Sequence, residues 1–341
     1  GARVVLTSTS NSSSRRPAKL WKRSWLLALV LSIVTLVAWH RFNIENALWK
    51  IGTNDSEALW SEKRILASQL GSSSIVLLGA SRIQLGVDIS ILEELTGNKV
   101  VQLAIDGNPY MSILEDLAND ESIVGTVIIA TNITGLVKGR NQDNRATKYL
   151  NYYHSRVNDL YRFDTIEALL TSKINNYTYA LSGFVTPYKW FFWPEGRLYQ
   201  AGYLKFNSDR SVDADYSKVD INQIYSNRIK RHLGSVKQVS FRQITGFENK
   251  VQQVNRLVTK IKVRGGKVVF VRFPTSKKIW EIDEGRYPKE VYWDVFSKLS
   301  VAETVHFKDS DLLSGFDLPD GSHLDQRDKV KFTENLVKVI F

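Results

Sequence analysis

The sequence predicts an α/β fold built on a parallel β-sheet. Short apolar runs alternate with amphipathic segments along residues 71–341, and strands that alternate with helices form parallel sheets with helices on both faces. The first run, residues 74–79, leads into Ala80-Ser81, which is typical of a buried strand that turns tightly into a helix. A chain of 341 residues with 43% apolar content can bury one large core or two smaller ones.

The predicted elements follow one another in a regular order. Residues 43–70 are amphipathic, which fits either a stalk or a first helix packed on the domain. The domain itself is predicted to begin at residue 71, and residues 275–288 are predicted as a loop. The remaining elements predicted from periodicity are strands at 74–79, 99–105, 125–130, 267–273 and 304–307, and helices near 88–96, 110–119, 245–263, 289–300 and 327–340.

Residues 139–243 interrupt this alternation. They are rich in charges and in aromatic side chains, among them Tyr188, Trp190 and Trp193. We interpret the segment as an insertion that lies over the open edge of the sheet or over the mouth of a site. Additional core is the alternative, and the sequence does not separate the two.

Residues 1–23 form a basic tail. They contain six Lys and Arg residues and no acidic residue, so the tail carries more than half of the formal charge of +11. The rest of the chain has an ordinary surface charge and no basic helix interleaved with stacking aromatics, which argues against nucleic acid as a partner. Cysteine is absent, and this excludes disulfides, Cys-ligated zinc and a thiol nucleophile.

Residues 24–42 are predicted to be a transmembrane anchor. Residues 24–39 carry no charge, with Trp25 and Trp39 near the two ends and Lys22-Arg23 on the amino side, as in a membrane-spanning helix. A cleavable signal peptide and a buried helix of a soluble protein are the alternatives, but no Ala-x-Ala cleavage site follows. We therefore expect a single-pass inner-membrane protein with a cytoplasmic tail and a periplasmic or extracellular domain.

Ser81 and His323 are the predicted centre of the chemistry. Ser81 follows the first strand at the sheet edge where ligands bind in parallel α/β folds, although serine is also a common turn and N-cap residue. Asp320 precedes His323 by three residues, so its carboxylate can orient the imidazole as a general base. The other histidines fit this role less well: His40 at the membrane boundary, His154 with no acid at useful spacing, His232 in a basic helical run, and His306 inside a predicted strand.

Gly107 and Asn132 follow the second and third predicted strands. A glycine N–H approaches a ligand closely and an asparagine amide donates a hydrogen bond, so both suit an oxyanion hole. Each also has a structural explanation, as a turn glycine and as a helix cap. The joint placement of all these groups after carboxyl ends of strands favours a site. No Gly-x-Gly-x-x-Gly, Walker or His-Glu-x-x-His motif is present, and neither a cofactor nor a metal is expected.

The order of these motifs resembles the SGNH (GDSL-type) hydrolase superfamily. The similarity covers residues 71–341 without the insertion and is strongest over 320–333. The resemblance implies a flavodoxin-like three-layer αβα fold with sheet order 2-1-3-4-5. The roles it implies are Ser81 as nucleophile, His323 as base, Asp320 as its orienting carboxylate, and the Ser81 backbone N–H, Gly107 and Asn132 as the oxyanion hole.

Three positions depart from the superfamily pattern. Ala80 stands where Asp is usual, residues 130–132 read Ala-Thr-Asn for Gly-x-Asn, and Ile133 replaces an Asp. The altered first block is more similar to membrane-anchored, envelope-facing branches, such as proteins for alginate acetylation or teichoic-acid D-alanylation, than to secreted lipases. Some members of such branches transfer acyl groups, and others lack activity.

We therefore expect a serine esterase or O-acyltransferase that acts on the acyl groups of envelope or exported polysaccharide. Acetyl is the acyl group we expect. The expected partners are an acylated glycan, the membrane and a membrane-bound acyltransferase. A catalytically silent assembly or carbohydrate-binding subunit is the alternative, and a soluble intracellular lipase is a weaker third. Basic residues near the fourth strand and the nucleophile, Arg82, Arg272 and Lys277, are candidates for an anionic substrate, although a solvated basic loop explains them equally well.

Overall fold

The computed structural model describes residues 18–45, 51–52, 55–137, 145–156, 203–234 and 239–341. The chain divides into two units, Gly1–Asn46 and Ala47–Phe341. The predicted aromatic cluster at 188–193 lies outside the described residues.

The first unit contains one long helix, α1 (Ala18–Glu45). Its segment Trp21–Ala38 has a mean hydropathy of 1.5 and buries none of its surface, so the helix is long and apolar enough to cross a membrane. At 1.5 Å per residue, 28 residues extend about 42 Å, which exceeds the ~30 Å of a bilayer core. By length and composition, a membrane anchor and a signal sequence fit this helix equally.

The second unit is built on a five-stranded parallel sheet, which confirms the predicted α/β class. The strands of the described residues are β1 (Ile51–Gly52), β2 (Ser74–Leu78), β3 (Lys99–Gln102), β4 (Thr126–Ala130), β5 (Leu204–Phe206), β6 (Val212–Ala214), β7 (Lys267–Arg272) and β8 (Glu303–His306). The large sheet has the spatial order β3-β2-β4-β7-β8. Counted along the chain within this sheet, the order is 2-1-3-4-5, and all neighbours are parallel.

Helices cover both faces of this sheet because alternate residues of each strand point to opposite sides. In β2, Val76 and Leu78 join one apolar cluster and Ile75 and Leu77 the other. The helices are α2 (Glu57–Leu70), α3 (Ser81–Gly86), α4 (Ile89–Thr96), α5 (Met111–Asn119), α6 (Ile133–Val137), α7 (Arg145–Arg156), α8 (Ile221–Leu233), α9 (Phe247–Val263), α10 (Lys277–Arg286), α11 (Lys289–Leu299) and α12 (Lys329–Ile340). Helices α2, α5, α7, α9 and α11 pack on the first face, and α3, α4 and α12 on the second.

Two predicted boundaries are wrong. The predicted loop at 275–288 contains α10. The N-cap residue of this helix is Ser276, whose hydroxyl accepts a hydrogen bond from the Ile279 N–H at 3.4 Å. Its apolar residues are few and its sequence is largely charged, so periodicity does not reveal it. The predicted strand at 99–105 ends early at Gln102. From there the backbone carbonyls accept hydrogen bonds from side chains, Arg210 of the insertion, Trp60 of α2 and Gln84 of α3.

Helix α2 belongs to the domain core, so the domain begins before the predicted residue 71. Trp60 is fully buried and its indole N–H donates to the Leu103 carbonyl at 3.0 Å. The buried Arg64 guanidinium donates to Asp116 at 2.6 Å and to Asp120 at 2.9 Å. Of the two expectations for residues 43–70, the packed helix therefore describes 57–70.

The described parts of the insertion are α7, β5, β6 and α8. Strands β1, β5 and β6 form a small second sheet. Tyr149 and Tyr153 of α7 pack beside Trp60, so this helix is additional core. The small sheet contacts the chain around the start of α12. The Gln326 N–H donates to the Ala214 carbonyl at 2.8 Å, and Lys329, the first residue of α12, pairs with Asp213 at 2.8 Å.

Candidate active site

Ser81 lies at the sharp turn between β2 and α3. Gly79 has φ +135°, and a Cβ there would lie 2.6 Å from the Ala130 carbonyl oxygen, so only glycine fits beside β4. Ala80 is extended and Ser81 is the first residue of α3. The first N–H groups of a helix have no acceptor within the helix. The turn therefore presents both the hydroxyl and the backbone N–H of Ser81 at the carboxyl edge of the sheet.

The three predicted catalytic side chains form one hydrogen-bonded chain. Ser81 Oγ lies 2.8 Å from His323 Nε2, and His323 Nδ1 lies 2.7 Å from Asp320 Oδ2. Since a carboxylate can only accept, Nδ1 carries the proton and the neutral imidazole presents Nε2 as an acceptor to the serine hydroxyl. This is the arrangement in which a serine can be deprotonated as it attacks.

Asp320 is fully buried and completely hydrogen-bonded. Its Oδ1 accepts from the backbone N–H groups of Ser322 and His323 at 2.9 and 2.8 Å, which shapes the turn that carries the histidine. Its Oδ2 accepts from His323 and also from Arg228 Nη2 at 2.6 Å. Burial favours the neutral acid, but the His323 imidazole, Arg228 and the backbone donors outweigh it and hold the pKa of Asp320 well below its usual value.

The predicted oxyanion donors lie with Ser81 in the lining of one cavity. This cavity has a volume of about 730 Å³, and Ser81, Gly107, Asn132 and His323 all line it. Gly107 has φ +68°, which glycine adopts without strain. The Asn132 Oδ1 accepts from the Gly135 N–H at 2.8 Å, which orients the amide so that its Nδ2 remains as a donor.

The structure separates the three basic residues predicted to bind substrate. Arg82 lines the cavity. Arg272 is buried at the end of β7 and pairs with Asp283 at 2.5 Å. Lys277 is exposed at the start of α10 and is not part of the described cavity lining. The three residues therefore do not form one binding surface, because α3, the end of β7 and the start of α10 place them in different environments.

Two important residues of the insertion are missed by the sequence analysis. Arg228 of α8 pairs with Asp320 although 92 residues separate them, and the sequence shows it only as part of a basic run. Arg210 is buried and donates to the carbonyls of Gln102 and Ala104 at 2.6 and 3.1 Å, just before the Gly107 turn. It also pairs with Asp55 at 2.6 Å. The backbone of Arg210 has a positive φ of 68°, which is unusual for a residue other than glycine. This feature is visible only in the structure.

The other described histidines make different contacts. His306 ends β8, and burial together with nearby cations, Arg272 first, lowers its pKa to about 2. His232 also lines the cavity, with its Nδ1 3.1 Å from the Arg228 carbonyl. His154 does have an acidic partner, since its Nε2 lies 2.6 Å from Asp116 Oδ1 on the surface. Sequence spacing does not reveal this pair, because His154 and Asp116 lie in different helices.

A hydroxyl, an imidazole and a carboxylate in hydrogen-bonded series, with N–H donors beside the hydroxyl, can carry out acyl transfer. The hydroxyl attacks a carbonyl carbon, the imidazole moves the proton, and the donors stabilise the developing oxyanion. No family model matches this chain, and no curated protein matches it either.

Proposed function

We propose that this chain is a serine esterase or O-acyltransferase of the SGNH type that acts on acyl groups of cell-envelope or exported polysaccharide. The observation that carries the proposal is the unbroken series Ser81 Oγ, His323 Nε2, His323 Nδ1 and Asp320 Oδ2, with contacts of 2.8 and 2.7 Å. The strand order of the sheet supports a flavodoxin-like three-layer arrangement, in which the ends of parallel strands meet at one ligand-binding edge.

In the proposed reaction, Ser81 Oγ attacks the acyl carbonyl while His323 Nε2 takes its proton. The negative charge that forms on the carbonyl oxygen accepts hydrogen bonds from the Ser81 and Gly107 N–H groups and from Asn132 Nδ2. His323 then gives the proton to the departing alcohol oxygen as the C–O bond breaks, leaving an acyl-serine. Water or a sugar hydroxyl then attacks this acyl group while His323 takes its proton. His323 returns that proton to Ser81 Oγ as the acyl–Oγ bond breaks.

The proposed location is the outer side of the cytoplasmic membrane. The exposed apolar helix α1 supports an anchor, and the basic residues before it support a cytoplasmic amino terminus. A domain held at the membrane surface would meet exported glycan directly, and a membrane-bound acyltransferase could supply its acyl groups. A soluble intracellular lipase would not require a helix that is long and apolar enough to cross a membrane.

A fluorophosphonate tests the activated serine. The full chain in detergent is treated with the reagent and its intact mass is measured, beside Ser81→Ala, His323→Ala and His154→Ala. We expect one adduct on Ser81, its loss in Ser81→Ala and a labelling rate lowered at least hundredfold in His323→Ala. His154→Ala removes an exposed His–Asp pair of similar geometry and should label normally.

Absence of labelling, under conditions that label a control esterase, would contradict the enzymatic proposal. It would favour the alternative, a silent subunit that binds carbohydrate or assembles with other proteins. A polysaccharide-binding assay with Ser81→Ala would then follow, because a binding role survives loss of the hydroxyl.

A further inference from the structure

The cavity above Ser81 is strongly cationic. Among its described lining residues are five arginines and a single carboxylate: Arg82, Arg228, Arg231, Arg242, Arg286 and Asp283. Two of these charges are already balanced, since Arg228 pairs with Asp320 beneath the cavity and Asp283 pairs with Arg272. Arg286 donates to the carbonyls of His232 and Leu233 at the end of α8, which satisfies its N–H groups without cancelling its charge.

Among the arginines of this cavity, Arg82 is the one that has both an unsatisfied N–H group and no ion pair within the described residues. Its Nε is buried and has no hydrogen-bond partner, and within the described residues its guanidinium forms no ion pair. Burial first, and then the nearby Arg272 and Arg228, lower its pKa to about 10, so it is still a cation at neutral pH. A buried charged donor without an acceptor is unfavourable, and an anion bound in the cavity would supply the acceptor.

A second cavity of about 180 Å³ meets the first at Ser81 and His323. Its lining includes the apolar side chains of Leu85, Tyr203, Leu204, Phe206 and Val212. A cavity of roughly 150 Å³ can hold a molecule the size of benzene, so this one accommodates a short acyl chain. Asp106 also lines it, together with Arg228 and Arg231, which line both cavities. The two halves of an ester at Ser81 therefore meet cavities of different volume.

We propose that the substrate is an ester whose alcohol half carries a carboxylate or phosphate group, bound by Arg82 in the large cavity, and whose acyl half is short enough for the second cavity. This inference rests on the proposed function and names the substrate class of the same site. Arg231 and Arg242, both exposed and without a carboxylate partner in the described part of the chain, add to the positive potential that attracts such an alcohol.

Binding is measured first, because it does not depend on the chemistry. Full-length Ser81→Ala in detergent is titrated calorimetrically with glucose, glucuronate and glucose 6-phosphate, which share a ring and differ in charge. We expect one or both anions to bind at least tenfold more tightly than glucose, and the difference to shrink in high salt. A larger gain for one anion identifies carboxylate or phosphate as the preferred group.

The Arg82→Gln substitution is then compared with Lys277→Gln, which removes the same charge from an exposed side chain outside the described cavity lining. Loss of a charged hydrogen-bonding partner should weaken anion binding roughly tenfold to hundredfold, whereas Lys277→Gln should bind as the parent does. Equal binding of glucose and both anions, or equal effects of the two substitutions, would overturn the proposal.

Hydrolysis of 3-O-acetyl derivatives of the same three sugars separates the two proposals. With the wild-type chain, we expect a higher kcat/KM for the charged esters, and Arg82→Gln should raise their KM while leaving that of the neutral ester nearly unchanged. Equal kcat/KM for all three esters would refute the charged substrate while supporting the esterase. Selective anion binding without acetate release or fluorophosphonate labelling would refute the esterase and, with it, the ester assignment.

Discussion

Asp320 combines the functions of orienting His323 and of anchoring the insertion. Its Oδ2 lies 2.7 Å from His323 Nδ1 and 2.6 Å from Arg228 Nη2, so one oxygen accepts from both donors. Arg228 also lies 3.3 Å from His323 Nδ1, and its positive charge acts on both members of the pair. The residue that orients the imidazole is thereby coupled to helix α8, which belongs to a different part of the chain.

We predict that Arg228→Met lowers the free energy of unfolding by about 1–3 kcal/mol at pH 7, because a charged hydrogen bond to buried Asp320 is lost. The folded-state pKa of Asp320 lies below its unfolded value of 3.8. The stabilisation is therefore complete above that value and is lost as the pH falls toward the folded pKa. Urea titrations of parent and variant at pH 7 measure this loss, and the parent itself should be less stable at pH 3 than at pH 7.

A variant as stable as the parent at pH 7 would show that the hydrogen bond from Arg228 to Asp320 does not stabilise the fold. Arg228→Lys provides the control, since a lysine retains the charge but not the planar group. It should keep part of the stabilisation, together with its dependence on pH.

Gly79 sets the direction of the turn that carries Ser81. Gly79→Ala should cost more than ~2 kcal/mol of unfolding free energy, because strain at φ +135° adds to a Cβ contact of 2.6 Å with the Ala130 carbonyl. Gly97→Ala is the matched control, since Gly97 also has a positive φ, +69°, but no atom within 4 Å of the added Cβ. Thermal or urea denaturation of both variants measures the difference. Equal losses would show that the close approach of β2 and β4 is not limiting.

At the scale of elements, Arg210 connects three segments. It pairs with Asp55 before α2 and donates to the carbonyls of Gln102 and Ala104 after β3. Gln84 of α3 donates to the same Ala104 carbonyl at 3.0 Å. The loop that leads to Gly107 is thus held by side chains from the insertion and from the helix that Ser81 begins.

We predict that Arg210→Met lowers the free energy of unfolding by about 3–5 kcal/mol, since it leaves Asp55 and the Gln102 carbonyl without this donor and leaves the Ala104 carbonyl with Gln84 alone. If the Gly107 loop shifts, fluorophosphonate labelling of Ser81 should also slow under conditions where the variant is folded. Arg327→Met breaks an Arg–Asp pair whose arginine is 69% exposed, and it should change neither quantity. Normal labelling in folded Arg210→Met would show that the loop keeps its position without the arginine.

At the scale of the whole molecule, the parallel sheet assembles a site from distant parts of the chain. Ser81, Gly107 and Asn132 follow β2, β3 and β4, and His323 follows β8, so all lie at carboxyl ends of strands in one sheet. The hydroxyl and the imidazole are separated by 242 residues and lie 2.8 Å apart. Folding of the sheet is therefore a condition for any chemistry at Ser81.

From the proposed membrane location, we predict that the mature protein keeps its amino-terminal segment. Expressed in cells, the chain should remain in the membrane pellet after alkaline carbonate extraction, and intact mass should show an uncleaved amino terminus. The expected reason is that a 28-residue helix with an apolar centre spans the bilayer stably. A product that begins near residue 40 and is released from membranes would identify the segment as a cleaved signal sequence instead.

The sequence by itself determined the elements that periodicity and local chemistry control. The strands β2, β4 and β7 are continuous apolar runs because they are buried on both faces. The Asp320–His323 contact was also predictable, since it spans three residues within one turn. Helix α10 was not predicted because its few apolar residues produce almost no periodic pattern.

Only the tertiary structure decided which charges meet. Arg82 and Arg272 look alike in the sequence, yet Arg82 faces a cavity and forms no ion pair with any described residue, whereas Arg272 pairs with Asp283. Arg228 reaches Asp320 because α8 packs beside the loop after β8, and no local pattern encodes that contact. Periodicity records how each residue relates to its own helix or strand, whereas the charge of a cavity depends on how separate elements come together in space.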